Sequence, residues 1–217
     1  MAIFAGPSLY DVELSPELRQ VIRPPARQGD ISALPELRGG TWRIALIDGE
    51  FGQSLSVTVT EIREALAAGN TVLGGGSMGA LRAAECHPLG MRPVGWIVRQ
   101  YLDSTVWADD EVALTYDPAD YRPLSMPLIN LRWLLDQCVS AGELDPPTAQ
   151  AVLSACSALH FRERTARTLL DIACAAAPKA AEVLRPWFAP DRLSSWDRKR
   201  ADAEEILRLV STVGALA

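Results

Sequence analysis

The chain has 217 residues, of which 48% are hydrophobic and 22% are charged, and its formal net charge is −6. This hydrophobic content is enough to build a packed core and argues against an intrinsically disordered chain. Binding along a phosphate backbone requires a basic face, so the acidic balance predicts no nucleic-acid partner.

Charge and cysteine patterns indicate the compartment. The longest stretch without a charged residue, 65–81, has 17 residues and five glycines, so it is too short and too polar to span a bilayer. No basic residue precedes Arg19, which predicts no secretory signal. The four cysteines are far apart with no C-x-x-C pattern, as is typical of thiols in a reducing compartment. We therefore expect a cytoplasmic protein with no membrane anchor, metal centre or cofactor.

Short β-rich runs alternate with helical patterns in the first part of the chain, which predicts parallel βαβ units. The predicted strands are Ala2–Ala5, Ile44–Ile47, Thr71–Leu73 and Val94–Val98, and the predicted helices are Ser56–Ala68 and Met78–Cys86. Two prolines exclude a regular helix in Arg23–Asp30.

Helical periodicity dominates from about Leu128 onward. The predicted helices are Leu128–Ala141, 145–159, Arg164–Ala176 and Ser194–Val210, the last with a serine cap. The fold class is therefore predicted as α/β, with a parallel-sheet part (1–127) and a helical C-terminal part (128–217) packed as one unit.

A glycine-rich turn stands between the third predicted strand and the helix that follows it. Gly75-Gly76-Ser77-Met78-Gly79 fits the G-x-S-x-G pattern, in which a tight strand-to-helix turn exposes a serine oxygen beside the helix N-terminus. Two alternatives remain open from this turn alone. Its backbone N–H groups would also suit an anion, and Ser77 would also suit a purely structural helix cap.

A serine nucleophile needs a base, and the chain offers two histidines and two lysines. His87 lies at the far end of the helix after Ser77, and His160 stands alone at a helix junction, where a structural role is the alternative. Lys179 sits in an alanine-rich, solvated-looking stretch. Lys199 acts as a base only when neutral, and the alternative is an exposed helix residue.

Two acidic features complete the candidates. Asp48 follows the predicted strand that ends at Ile47, where α/β folds place site residues, although a turn residue is the alternative. The run Asp109-Asp110-Glu111 suits a hard cation or, alternatively, a solvated helix start.

Several segments together resemble the TfuA-like proteins that accompany YcaO enzymes in thioamide formation. The matching segments are IFAGPSL (Ile3–Leu9), RPPARQGDI (Arg23–Ile31), IDGEFGQ (Ile47–Gln53), EI..AL (Glu61–Leu66), GGGSMGALRAAE (Gly74–Glu85), PLGM (Pro88–Met91), DDEVAL (Asp109–Leu114), ERT (Glu163–Thr165) and DRKRADA (Asp197–Ala203).

The resemblance implies partners and a reaction. Such proteins work beside an ATP-dependent YcaO enzyme that replaces a peptide amide oxygen by sulfur. They are thought to hydrolyse the C-terminal thiocarboxylate of a ThiS-like, ubiquitin-like sulfur-carrier protein and to help capture the precursor peptide. The family's serine–lysine pair falls on Ser77 and Lys199. For the anion we then expect Gly75, Gly76, Arg82, Asp48 and the N–H groups of Met78 and Gly79.

This chain departs from the family pattern in two places. Val59 and Thr60 stand where many relatives carry a histidine and a basic residue, and Ser8 replaces the usual threonine. The alternative function is a non-catalytic adaptor that brings the sulfur carrier and the peptide to the YcaO enzyme. An esterase of the α/β-hydrolase type would need His160 as base, and the sequence offers it no matching acid or oxyanion loop.

Overall fold

The computed structural model describes residues 1–35, 37–52 and 55–214, which leaves Gln53 of the IDGEFGQ segment outside the described residues. The chain divides into two compact units. Of the described residues, the first contains those in 1–107 and 199–214, and the second contains 108–198. Residues 108–127 thus group with the helices, and the last helix groups with the sheet. The packing of both parts as one unit stays a prediction.

A five-stranded parallel sheet in the order β2-β1-β3-β4-β5 forms the centre of the first unit. Its strands are β1 (Ala2–Phe4), β2 (Ile22–Arg23), β3 (Arg43–Leu46), β4 (Thr71–Gly74) and β5 (Arg92–Pro93). In one register line Ile22, Ile3, Ala45, Leu73 and Arg92 lie side by side. The sheet confirms the predicted α/β class.

Helices on the sheet bury its apolar side chains. The first unit contains α1 (Pro16–Val21), α2 (Val59–Ala67), α3 (Met78–Cys86), α4 (Trp96–Leu102) and α9 (Arg198–Gly214). Ile3, Ala45 and Ile47 form one core cluster with α9. Ile44 and Leu46 alternate with them and therefore point to the opposite face. Helices α2 and α3 contact β4 and each other.

The predicted strand Val94–Val98 is wrong, because this segment begins helix α4. The β-branched and aromatic residues favour a strand locally, but a tertiary contact overrides that preference. Gly95 has φ +98°, and the N–H groups of Trp96 and Ile97 donate to the carboxylate of Asp202 in α9 at 2.9 and 2.8 Å. That carboxylate caps the helix across more than 100 residues of sequence.

The second unit is helical, as predicted from the periodicity. It contains α5 (Leu128–Ser140), α6 (Pro146–Ser157), α7 (Ala166–Ala176) and α8 (Pro178–Leu184), of which α8 was not predicted. Asp145 and Thr165 cap α6 and α7. The predicted serine cap is wrong, because Ser194 lies in a 3-10 helix and α9 begins only at Arg198.

Short 3-10 helices connect many of these elements. They cover Pro7–Leu9, Leu37–Gly39, His87–Leu89, Asp109–Glu111, Phe161–Glu163, Arg185–Phe188 and Leu193–Trp196. Within the described ranges, no helix has the length and apolar character needed to cross a membrane.

Candidate functional site

The strand order reverses between β1 and β3, whose carboxyl ends lie side by side. From β1 the chain moves to β2 on one side, whereas β3, β4 and β5 follow on the other. In doubly wound sheets ligands bind where the strand order reverses in this way, because the connecting loops separate there. The loop after β1 and the residue Asp48 after β3 both lie at this point.

The Asp48 carboxylate holds the two strand ends together. It is 3% exposed, and its Oδ2 accepts hydrogen bonds from the N–H groups of Gly6 and Ser8 at 2.8 and 2.9 Å. The Ser8 hydroxyl donates to Oδ1 at 2.7 Å. Asp48 is therefore a buried carboxylate that three hydrogen bonds hold in place. In the sequence Ser8 stands out only as a departure from the family pattern, although its place in the GPSL segment after β1 was a signal for the site.

Lys199 lies in the first turn of α9 and is buried beside Asp48. It is 3% exposed, and its Nζ is 4.0 Å from Asp48 Oδ1. The alternative of an exposed helix lysine is therefore wrong. Lysine side chains are rarely buried unless they have a charged partner. A buried titratable pair at the carboxyl end of a strand is a candidate functional site.

Ser77 ends the glycine-rich turn and immediately precedes α3. The residue is 2% exposed, and its side chain makes no capping hydrogen bond to the helix. Ser77 thus occupies the N-cap position of α3, as the structural alternative supposes, but its side chain does not make the capping bond. Gly76 has φ +74°, a left-handed conformation that permits this tight turn because glycine has no Cβ.

The glycine-rich turn packs directly against the helix that carries Lys199. A Cβ added to Gly76 would lie 3.1 Å from Ile47 Cγ2 and 3.4 Å from the Lys199 carbonyl oxygen. Gly49, next to Asp48, approaches the Met78 side chain so closely that a Cβ would lie 2.8 Å from its Cγ. The fold thus brings the Ser77 turn, the Asp48 strand end and the Lys199 turn together.

These residues bear on the chain's family. A family model described as TfuA-like protein matches residues 48–165, a range that begins at Asp48 and includes Ser77. The chain belongs to the TfuA-like family. Membership associates it with YcaO-dependent thioamidation. The family match ends before Lys199, and no curated protein matches the chain.

The groups of this TfuA-like chain that are expected to bind the anion differ in whether their hydrogen-bond donors already have other acceptors. The Gly79 N–H donates to the Ile47 carbonyl at 3.0 Å, so it is already engaged. Arg82 donates through Nε to the Val57 carbonyl at 2.6 Å and through Nη1 to Glu85 at 2.7 Å. Met78 opens α3, where N–H groups have no acceptor within the helix. Its N–H remains the candidate donor beside Ser77.

The other candidate bases lie on the surface of their units. His87 and Lys179 are exposed. His160 is exposed in the second unit, where its Nδ1 accepts a hydrogen bond from the Arg162 N–H at 3.3 Å. Its role as a cap of a 3-10 helix matches the structural alternative.

The acidic run in the second unit binds arginines. Glu111 pairs with Arg132, and Asp110 Oδ2 lies 2.5 Å from Arg164 Nη2. Among residues 1–35, 37–52 and 55–214, no group of three His, Cys, Asp or Glu side chains is arranged to hold a metal ion. The alternative of a solvated helix start holds for Asp109, which is exposed at the start of a 3-10 helix, but not for Glu111, which is buried in its ion pair.

Three of the four thiols are buried and poorly ionised. Burial raises the pKa of Cys86, and it raises those of Cys138 and Cys156 to about 11. Cys174 is exposed. Since a thiolate is the reactive form, these buried thiols are unsuited to carry sulfur.

Proposed function

We propose that this TfuA-like protein hydrolyses the C-terminal thiocarboxylate of a ThiS-like sulfur-carrier protein and delivers sulfide to a YcaO enzyme that thioamidates a precursor peptide. Ser77 is the nucleophile and Lys199 is the base. The observation that supports this most is the buried Lys199 amine beside Asp48, on the helical turn against which the Ser77 turn packs.

The reaction has two steps. In the first, Lys199 accepts the Ser77 proton, the serine oxygen attacks the carbonyl carbon of the thiocarboxylate, and the carbon–sulfur bond breaks as Lys199 passes that proton to the sulfur, which leaves as hydrosulfide. The carrier is then an ester of Ser77. In the second step, neutral Lys199 accepts a proton from the water that attacks this ester and passes it to the Ser77 oxygen as the ester bond breaks. This restores the serine and releases the carrier acid, which ionises to its carboxylate.

Two opposing effects govern the charge on Lys199. Burial disfavours an ammonium ion, and the Asp48 carboxylate 4.0 Å away favours it. Three hydrogen bonds from Gly6 and Ser8 spread the negative charge of Asp48 and so weaken its hold on the amine. The proposed role of base requires that burial outweigh the carboxylate, so that Lys199 is neutral when Ser77 attacks.

The N-terminus of α3 provides the stabilisation of negative charge. The Met78 N–H follows Ser77 directly, and the helix dipole is positive at this end. A donor in this place lowers the energy of the tetrahedral oxyanion that forms when Ser77 attacks. Because Arg82 and the Gly79 N–H donate hydrogen bonds to other groups, this oxyanion site has few hydrogen-bond donors.

The small number of hydrogen-bond donors to the oxyanion favours a second candidate function, a non-catalytic adaptor. With Asp48 beside it, Lys199 as an ammonium ion would bind the thiocarboxylate anion instead of accepting a proton from Ser77. The protein would then hold the carrier tail near the YcaO enzyme without cleaving it.

Turnover without the partner enzyme distinguishes the two functions. Sulfide release from purified thiocarboxylated carrier is followed for wild type, Ser77→Ala and Lys199→Ala, with no YcaO enzyme and no ATP. Lys179→Ala is the matched control, because it removes the chain's other, exposed lysine. We expect release by wild type and Lys179→Ala alone. Carrier binding without release by any of the four proteins would establish the adaptor.

A further inference from the structure

Asp202 lies one turn after Lys199 on α9 and is fully buried. Its Oδ1 accepts a hydrogen bond from the Trp96 N–H at 2.9 Å, and its Oδ2 accepts one from the Ile97 N–H at 2.8 Å. Both donors belong to the first turn of α4. A carboxylate at a helix N-terminus gains from the unpaired N–H groups and from the helix dipole.

The backbone of the β5–α4 junction is shaped around this carboxylate. Gly95 has φ +98°, and a Cβ added there would overlap the Asp202 carboxyl group. The carbonyl of the preceding residue, Val94, packs against Gly75 of the glycine-rich turn. One continuous set of close contacts therefore links Asp202, the β5–α4 junction and the turn that carries Ser77.

The first turn of α9, which Asp202 anchors, also contacts the glycine-rich turn directly. A Cβ on Gly76 would lie 3.4 Å from the Lys199 carbonyl and 4.0 Å from the Ala203 backbone nitrogen. Residues i and i+3 of a helix share a face, so fixing Asp202 also fixes Lys199.

We propose that Asp202 is a positioning residue, which anchors the first turn of α9 to the N-terminus of α4 and so holds the Lys199 amine at Asp48 beside the Ser77 turn. For its role in catalysis this inference rests on the proposed function. The anchoring itself is measurable without any hydrolase activity.

The scarcity of lysine makes the anchoring measurable. The chain contains two lysines, the buried Lys199 and the exposed Lys179. The full-length protein is treated with N-hydroxysuccinimide acetate, and peptide mass spectrometry gives the acetylation rate of Lys199 relative to Lys179. In wild type we expect Lys199 to be protected. In Asp202→Asn, which replaces one acceptor oxygen by a donor facing an N–H, this ratio should rise about tenfold or more. Glu205→Gln makes the same chemical change elsewhere on α9 and should leave it unchanged.

A second variant approaches the contact from the other side, in case Asp202→Asn does not fold. Gly95→Ala places a Cβ against the intact Asp202 carboxyl group and should also expose Lys199. Gly90→Ala is its control, since Gly90 has a similar φ of +103° and nothing within 4 Å of an added Cβ.

Kinetics separate positioning from mere stability. Per folded molecule, Asp202→Asn should lower kcat for sulfide release about tenfold and leave KM within about twofold, because the carrier still binds but the base is displaced. Unchanged Lys199 protection in both folded variants, or in Gly95→Ala alone if Asp202→Asn does not fold, overturns the inference. If Lys199 becomes exposed while wild type releases no sulfide, the anchoring stands and the proposed hydrolase function fails.

Discussion

Each of the two units buries a cation, and the two cations have different kinds of partner. Arg164 in the second unit is fully buried and donates to the carbonyls of Leu159 and Asp110 and to the Asp110 carboxylate. Lys199 in the first unit lies 4.0 Å from Asp48, whose carboxylate is already bonded to the loop after β1. Saturation by backbone carbonyls indicates a structural ion. A carboxylate at strand ends, beside a serine turn, is the arrangement that the proposed site requires.

The largest effect that tests this contrast is the loss of the nucleophile. Ser77→Ala removes one oxygen that makes no capping bond, so the fold should persist, while sulfide release should fall by about 1,000-fold or more. Sulfide release and thermal unfolding are measured on the same sample. Release within about tenfold of wild type would contradict the role of Ser77.

The next effect is on stability alone. Arg164→Met leaves the buried carbonyls and Asp110 without their partner, so we expect the free energy of unfolding to fall by about 3–5 kcal/mol. Activity per folded molecule should not change. Arg167→Met removes an arginine whose side chain is 93% exposed and should change stability by about 0.5 kcal/mol or less. Equal stability of the two variants would contradict the structural role of Arg164.

Alkaline pH should weaken the second unit through its thiols. Cys138 and Cys156 have pKa values raised to about 11, so between pH 9 and 11 the folded protein keeps protons that the unfolded chain loses. The free energy of unfolding is therefore unaffected below about pH 9 and falls above it, on the order of 1 kcal/mol per pH unit for each thiol. Unfolding is measured at several pH values for wild type, a Cys138→Ala and Cys156→Ala double variant, and Cys174→Ala.

The double variant should flatten this pH dependence, whereas Cys174→Ala, which removes the exposed thiol, should preserve it. An unchanged slope in the double variant would show that other groups cause the alkaline loss.

The smallest effect concerns the support of Asp48. Ser8→Ala removes one hydrogen bond to the buried carboxylate, so we expect a loss of about 1.5 kcal/mol of stability and a reduced rate of sulfide release. Ser8→Thr keeps the hydroxyl and should retain both. If Ser8→Ala matched wild type in both measurements, Ser8 would not support the site.

Local patterns predicted the strand ends and the serine turn but not what covers them. The strand, the glycines and Ser77 follow in sequence, so their conformation depends mainly on neighbouring residues. Asp48 was predicted to be a site residue because it directly follows a buried strand. The placement of residues at the carboxyl ends of parallel strands then follows from the fold class.

Distant contacts decided the features that the sequence did not reveal. Trp96, Ile97 and Val98 have strand propensity, and a carboxylate on α9 makes the first of them begin a helix. The run around Lys199 is highly charged and looks solvated, yet Lys199 and Asp202 are buried. Arg82 was a natural anion ligand by position, and its contacts with Val57 and Glu85 appear only in three dimensions.

The count of carriers converted by each protein chain tests the central claim most directly. Purified protein is mixed with a large excess of thiocarboxylated carrier, without YcaO enzyme or ATP, and intact-mass spectrometry follows the conversion of thiocarboxylate to carboxylate. We expect many carriers converted per wild-type chain and none above background for Ser77→Ala. Bound but unconverted carrier, or conversion that Ser77→Ala does not abolish, would contradict it.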